Sequence, residues 1–331
     1  RKENMRKRIL KNTAAIFALV FGLSAGCALQ TTAAGQNMSA KNVTEQEMPV
    51  QRSFVLAAAG QNASVRDAAA QTDANVSIGL DPSWQYAGFS EINTGHAVLY
   101  KATGDSRRNL TVAVNAGHGT KGGASVKTYC HPDKTPKVTG GTTKAGALKA
   151  VAVSSGMTFR DGTPEAEVTL RMARILKEKL LKDGYDVLML RDDTDVQLDN
   201  VARTVIANNC ADMHIALHWD GDSLDTIKGV FYMSVPDGLK SMEPVRSHWQ
   251  QHEALGDALI DGLKDCGIKV WGSNPLDMDL TQTSFSTVPS VDIELGNQCS
   301  DHSDRILELE ADGLVKGIGR FVEIHNKSQA Q

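Results

Sequence analysis

The chain has 331 residues, 41% of them hydrophobic and 5% aromatic, with a formal net charge of -4. That is an ordinary globular composition, sufficient for one large domain with appendages. Mild acidity and few aromatics exclude the basic footprint and stacking platform of a nucleic-acid binder, so no nucleic-acid partner is expected.

Met5-Arg-Lys-Arg-Ile-Leu-Lys11 is a basic segment, and Ala14-Ala-Ile-Phe-Ala-Leu-Val-Phe-Gly-Leu23 is an apolar run of secretory length, short for a bilayer span. Residues 1–34 therefore read as an export signal, which places the protein in the cell envelope or outside the cell. Thr32-Ala-Ala34 suits an ordinary signal peptidase. Ser24-Ala-Gly-Cys27 resembles a lipoprotein signal, with the usual Leu one place too early at Leu23; a lipid on Cys27 is the alternative and the single link to a membrane. Residues 35–82, rich in Ala, Gln, Asn, Ser and Thr without apolar period, read as a flexible linker. Residues 83–108 alternate better and predict one or two strands packing on the main domain.

The main domain is expected over 109–326. Leu110 to Val114 is an apolar run of the kind found in a fully buried strand, and it leads into Asn-Ala-Gly-His118-Gly. A loop-like insertion, 120–161, follows; its length suggests a role in shaping the site. Thr163 is expected to cap a helix with Pro164 at its first position. Val168, Met172, Ile175, Leu176 and Leu180 form that helix's apolar stripe, and Gly184 ends it. Further strands are predicted at 185–191, 213–220, 229–234 and 290–295, with helices at 201–208, 253–266 and 306–325. Alternating strands and helices imply an α/β fold: one central, mostly parallel sheet with helices on both faces.

In such a fold the chemistry sits at the carboxyl ends of strands. His118 follows the first strand of this domain, His218 ends a later one, Glu294 ends the last, and Glu165 opens a helix at the same edge. Two imidazoles and a carboxylate are a ligand set for a catalytic zinc with one open position, and a further unbound carboxylate is what metal-assisted hydrolysis needs as base. Each alone has a plainer reading: a loop histidine, a strand-end histidine, or a glutamate complementing a helix dipole. Glu294, in the apolar strand Val-Asp-Ile-Glu-Leu, is the costliest to explain without function. Glu167 points elsewhere around the helix, and His214 sits deeper, where core packing suits it.

Other patterns carry less. Gly117-His-Gly-Thr-Lys-Gly122 fits G-x-G-x-x-G formally, but no helix period follows it. His248-Trp-Gln-Gln-His252 lacks the glutamate of H-E-x-x-H and reads as a solvated helix face. No G-x-S-x-G elbow occurs. Cys130-His131 is an isolated pair in the insertion. Cys130, Cys210, Cys266 and Cys299 permit two disulfides or four thiols.

The chain resembles the zinc-dependent N-acetylmuramoyl-L-alanine amidases of the type 3 class, bacterial peptidoglycan hydrolases. The resemblance runs from Leu110 to about Ile324. It is carried by Val114-Asn-Ala-Gly-His-Gly119, Glu165-Ala-Glu-Val-Thr-Leu-Arg-Met-Ala173, Gly184-Tyr-Asp-Val-Leu-Met-Leu-Arg191 with Asp195, Asn208-Asn-Cys-Ala-Asp212 leading to His218, and Val291-Asp-Ile-Glu-Leu-Gly296. It implies one zinc per chain held by His118, Glu165 and His218, with Glu294 as catalytic carboxylate. The implied partner is peptidoglycan, cut between the muramic lactyl group and L-alanine. The insertion is longer than in the family, and Ala-Leu-His218-Trp and Gly296-Asn-Gln-Cys depart from its usual contexts. Alternatives are a zinc peptidase cutting within the stem peptide, a non-catalytic wall-binding module and, more distantly, a nucleotide binder.

Overall fold

Helices intervene between the central parallel strands of this chain, and the sheet they build follows from that order. In the computed structural model, residues 75–329 are described; the export signal, Cys27 and the linker up to residue 74 lie outside the described residues. The strands are β1 (Val76–Ile78), β2 (Ala97–Tyr100), β3 (Thr111–Ala116), β4 (Lys127–Tyr129), β5 (Lys149–Val151), β6 (Asp186–Met189), β7 (Met213–Asp220), β8 (Phe231–Ser234), β9 (Leu276–Asp277) and β10 (Ser290–Asn297). The helices are α1 (Glu165–Lys182), α2 (Asn200–Cys210), α3 (Val245–Asp265), α4 (Thr281–Phe285) and α5 (Asp304–Gln329).

Eight strands form one sheet in the order β1-β2-β6-β3-β7-β10-β8-β9, while β4 and β5 pair separately. The central run β6-β3-β7-β10 is parallel. The flanking pairs β1-β2, β2-β6 and β10-β8 are antiparallel. Successive side chains of β3 go to opposite faces. Val112 and Val114 join a core with Val168, Met172, Leu176, Leu259, Leu263, Leu314 and Ile318, from α1, α3 and α5. Ala113 lies in a second core with Leu188, Ala202 and Ile206, on the α2 side. Helices thus cover both faces, as expected. No helix among the described residues is long and apolar enough to cross a membrane.

Several local expectations are corrected. The tract 35–82 is not linker throughout: Val76–Ile78 is the edge strand β1, which buries Ile78 against β2, and three residues are too few to show a period in sequence. Within 83–108 one strand forms, in keeping with the one or two expected, and Tyr86 and Phe89, outside it, pack edge-on against Phe285 of α4, an element the sequence did not announce. The insertion 120–161 carries the β4–β5 pair. It is pinned by buried His131, whose Nε2 lies 3.0 Å from both Asp279 carboxylate oxygens.

Helix α1 begins at Glu165, with Pro164 extended at the cap position and no side-chain cap. Thr163 does not cap it; its own amide donates to Asp161. The other end follows the Schellman pattern: Gly184, at φ +89°, donates to the Leu181 carbonyl and Tyr185 to that of Leu180. Helix α3 starts at Val245 rather than 253, which turns His252 inward to accept the Ser290 amide at 3.0 Å. His252 is therefore core, not solvated face. No disulfide joins Cys130, Cys210, Cys266 and Cys299.

Candidate metal centre

The turn after β3 is the foundation of the site. His118 sits at φ +66°, uncommon for a side-chain-bearing residue, between Gly117 and Gly119. The carbonyls of this turn leave the sheet ladder and need other donors. Two buried arginines supply them. Arg203 donates to the Ala116 carbonyl at 3.1 Å, the His118 carbonyl at 2.6 Å and the Asn115 side chain at 3.0 Å. Arg191 donates to the Ala116 and Gly117 carbonyls, both at 3.0 Å, and ties them to α1 through the Ala166 carbonyl at 2.8 Å. Burial, with Arg191 close by, lowers Arg203 to about 9, so both guanidinium groups stay charged at neutral pH.

Three side chains converge above this turn. His118 Nε2 lies 2.8 Å from Glu165 Oε1. His218 Nδ1 lies 3.1 Å from each of these two atoms. The imidazole rings meet edge to face, with centroids 4.7 Å apart. His118, Glu165 and His218 form the group whose potential ligand atoms all lie within 4.8 Å of one another, and it draws its members from the β3 turn, the start of α1 and β7. Bonds of about 2.0 Å at tetrahedral angles separate donor atoms by about 3.3 Å. The observed 2.8–3.1 Å is within a few tenths of that, so two imidazole nitrogens and a carboxylate oxygen can share one divalent cation.

The outer atoms of the group are also held. His118 Nδ1 donates to the Ser154 carbonyl at 2.9 Å, which leaves Nε2 facing the centre without a proton in the neutral ring. Glu165, 2% exposed, accepts from the amide of Met157 at 2.8 Å on Oε2 and from that of Trp219 at 3.0 Å on Oε1. Burial would raise this carboxyl, but the adjoining His118 and His218 imidazoles outweigh it and hold it well below the usual range. Gly156 lies close against the ligands: a Cβ there would stand 2.8 Å from His118 Cδ2 and 2.9 Å from Glu165 Oε2. The end of the insertion is thus the wall of the site. Met157 acts through its backbone amide, while Ser154 brings its hydroxyl, 3.0 Å from His118 Nδ1, as well as its carbonyl; neither stood out in sequence.

Glu294 stands directly across from His218 in the β10–β7 register. It is buried, its Oε2 has no hydrogen-bond partner, and burial pushes its carboxyl well above the ordinary value. A second carboxylate, Asp292, sits on the same face of β10, and its Oδ2 is 3.7 Å from His218 Nε2. Burial would lower the His218 imidazole, but Asp292 first and then Glu165 raise it to about 10. The sequence reading passed over Asp292, although two acids at i and i+2 in one apolar strand share a face.

The residues set aside stay apart. Glu167 is exposed and His214 is wholly buried in β7. His131 is committed to Asp279. After Gly122 comes a short 3₁₀ turn and then β4, so the glycines open no helix on which a dinucleotide could sit.

A family model described as N-acetylmuramoyl-L-alanine amidase matches residues 112–323. Among solved structures, the chain is similar to the N-acetylmuramyl-L-alanine amidase Ami1 from Mycobacterium smegmatis, at 18% identity and TM-score 0.54 over 65% of this chain and 97% of that one. It is similar also to the apo form of Ami1 from Mycobacterium abscessus, at 19% identity and TM-score 0.50 over 65% and 99%. At such identities the structural likeness is one of fold. No curated protein matches the chain.

Proposed function

The chain belongs to the N-acetylmuramoyl-L-alanine amidase family, whose model spans most of the described domain, and from that premise we propose that His118, Glu165 and His218 hold one zinc ion and that Glu294 carries the proton in the cleavage. The chain is a hydrolase of peptidoglycan, acting on the amide that joins the muramic lactyl group to L-alanine. The observation that carries the zinc assignment is the triangle of donor atoms 2.8–3.1 Å apart. Nitrogen and carboxylate donors, three from the protein, are the set that zinc takes in catalytic sites.

Bound there, zinc would supply Lewis-acid polarisation of the scissile carbonyl and a lowered pKa for water. The remaining work falls to side chains. Glu294, without a partner on Oε2 and shielded from solvent, accepts a proton as the water oxygen bonds to the carbonyl carbon. It returns that proton to the alanine nitrogen as the carbon–nitrogen bond breaks, so the lactyl carboxylate and a free amine leave. Glu165, fixed by two backbone amides, cannot swing into that role. Arg191 and Arg203 keep the His118 turn in its strained form, so the ligand arrives pre-set.

We infer export as well, because the substrate lies outside the cytoplasmic membrane and the basic-then-apolar segment before residue 34 suits secretion. Lipidation at Cys27 is the anchored variant of that reading. The test is metal analysis of the purified protein alongside identification of the products from peptidoglycan. One zinc per chain, with new L-alanine amino termini, supports the reading. Cuts confined to bonds within the stem peptide would overturn it.

A further inference from the structure

The three central residues differ in what holds their far side. His118 is fixed by the Ser154 carbonyl, and Glu165 by the amides of Met157 and Trp219. His218 alone of the three has an ionisable side chain behind it. Its Nδ1 points to His118 Nε2 and Glu165 Oε1, while its Nε2 lies 3.7 Å from Asp292 Oδ2. A neutral imidazole has one N–H. If Nδ1 faces a cation it must be bare, so the proton is on Nε2, the atom that faces Asp292.

Asp292 has no other evident reason to be where it is. It occupies a parallel strand among Val291, Ile293 and Leu295, all buried, and its own side chain is 13% exposed. Removing a carboxylate from water is costly unless it is paired. Among the described residues the ionisable side chain within 4 Å of its carboxylate is His218. The strand register gives the reason for that contact. Glu294 aligns with His218, so Asp292, two residues earlier on the same face, lies below the ring and not beside the open side of the centre. At 3.7 Å the contact is longer than a made hydrogen bond, and with the ring neutral it is the attraction of a carboxylate for the Nε2–H dipole. It still rewards the ring for presenting Nε2–H downward and Nδ1 upward.

We propose that Asp292 is a positioning residue: it fixes the tautomer and orientation of His218 and thereby sets how tightly the centre holds its metal. This rests on the assignment of His118, Glu165 and His218 as ligands. Carboxylates behind a ligating histidine characteristically act this way, and their loss costs about 10–100-fold in metal affinity or activity.

The test is zinc affinity by chelator competition, on the full chain, for the unaltered protein, Asp292→Asn and Asp292→Glu, with thermal unfolding as a check on folding and the visible spectrum of the cobalt-substituted forms as a second readout. The proposal expects one zinc per chain in all three. It expects affinity in Asp292→Asn to fall about 10–100-fold, with recovery of part of that loss in Asp292→Glu and an altered cobalt spectrum in the Asn form. Affinity of Asp292→Asn within twofold of the unaltered protein, or equal losses in Asn and Glu, overturns the proposal while leaving the three-ligand centre intact. If Asp292→Asn does not fold, Asp292→Glu decides: affinity nearer the unaltered protein than His218→Ala supports the proposal, and affinity equal to His218→Ala overturns it. Failure of the unaltered protein to bind zinc at all removes the ligand assignment itself, which is a different result.

Discussion

Gly117→Ala tests the position of the His218 ring without touching any polar group. A Cβ at residue 117 would lie 2.2 Å from His218 Cε1 and 2.6 Å from both ring nitrogens. Carbon atoms in contact sit about 3.5 Å apart or more, so the ring or the turn must yield by about 1.3 Å. Neither is free to do so. The turn is clamped by Arg191 through the Gly117 carbonyl, and the ring is bounded by His118, Glu165 and Asp292. Metal sites tolerate donor shifts of only about 0.2 Å, and a misplacement of about 1 Å can cost a factor of about 100 in rate. The expected outcome is a fall of at least about 100-fold in kcat/KM, about 2.7 kcal/mol at the transition state, together with weaker zinc binding. Because Gly117 does not adopt a positive φ, backbone strain does not confound the result. Amide hydrolysis of purified peptidoglycan and chelator competition give the two numbers, with circular dichroism as the control. A Gly117→Ala protein with unaltered zinc affinity and rate would refute the placement of His218.

Three other outcomes follow from named contacts. Glu294→Gln keeps the volume and removes the proton acceptor, so kcat is expected to fall by about 10²–10⁴ while metal analysis still finds one zinc; full turnover would remove Glu294 from the mechanism. Arg203→Met leaves the His118 carbonyl and Asn115 Oδ1 without a donor, each costing about 1–3 kcal/mol when buried, while Ala116 keeps Arg191 and Leu198 keeps Thr120. Urea unfolding should show a loss above about 2 kcal/mol, and a loss under about 1 kcal/mol would contradict the clamp. Glu310, buried on α5 with Oε2 unpartnered, has its carboxyl pushed well above the ordinary value, by burial first and then by Asp301. A raised folded-state value means its favourable contribution is complete below the unfolded value of about 4.3 and is lost as pH climbs through the folded one. The melting temperature of Glu310→Gln should therefore gain on the unaltered protein as pH rises, and a difference independent of pH would show that Glu310 does not titrate there.

Much of this architecture is legible in the chain because its signals are local and periodic. The apolar run into Gly117-His-Gly119 announces β3 and its turn, and Val168, Met172, Leu176 and Leu180 announce α1. Strand-helix alternation then gives the sheet. The edge elements β1 and β9, of three and two residues, are too short to establish a period and form because a neighbouring strand offers them partners. The insertion is shaped by contacts that no local window contains, such as His131 with Asp279, 148 positions apart. His252 looked solvated among polar neighbours, but an earlier helix start turns it to Ser290. At the site, the four residues singled out in sequence lie together at one rim of the sheet. What was missed is the backbone amide of Met157, the carbonyl and hydroxyl of Ser154, and one acid, Asp292, whose strand spacing from Glu294 is visible in the sequence.

The central claim is that one metal ion belongs between His118 Nε2, His218 Nδ1 and Glu165 Oε1. Anomalous diffraction at the zinc absorption edge, from crystals of the protein grown with zinc, addresses it most directly. The account predicts a single strong peak about 2.0–2.2 Å from all three atoms, with Glu294 outside bonding distance. A peak bonded to Glu294 in place of Glu165, or none within reach of the two imidazoles, would contradict it.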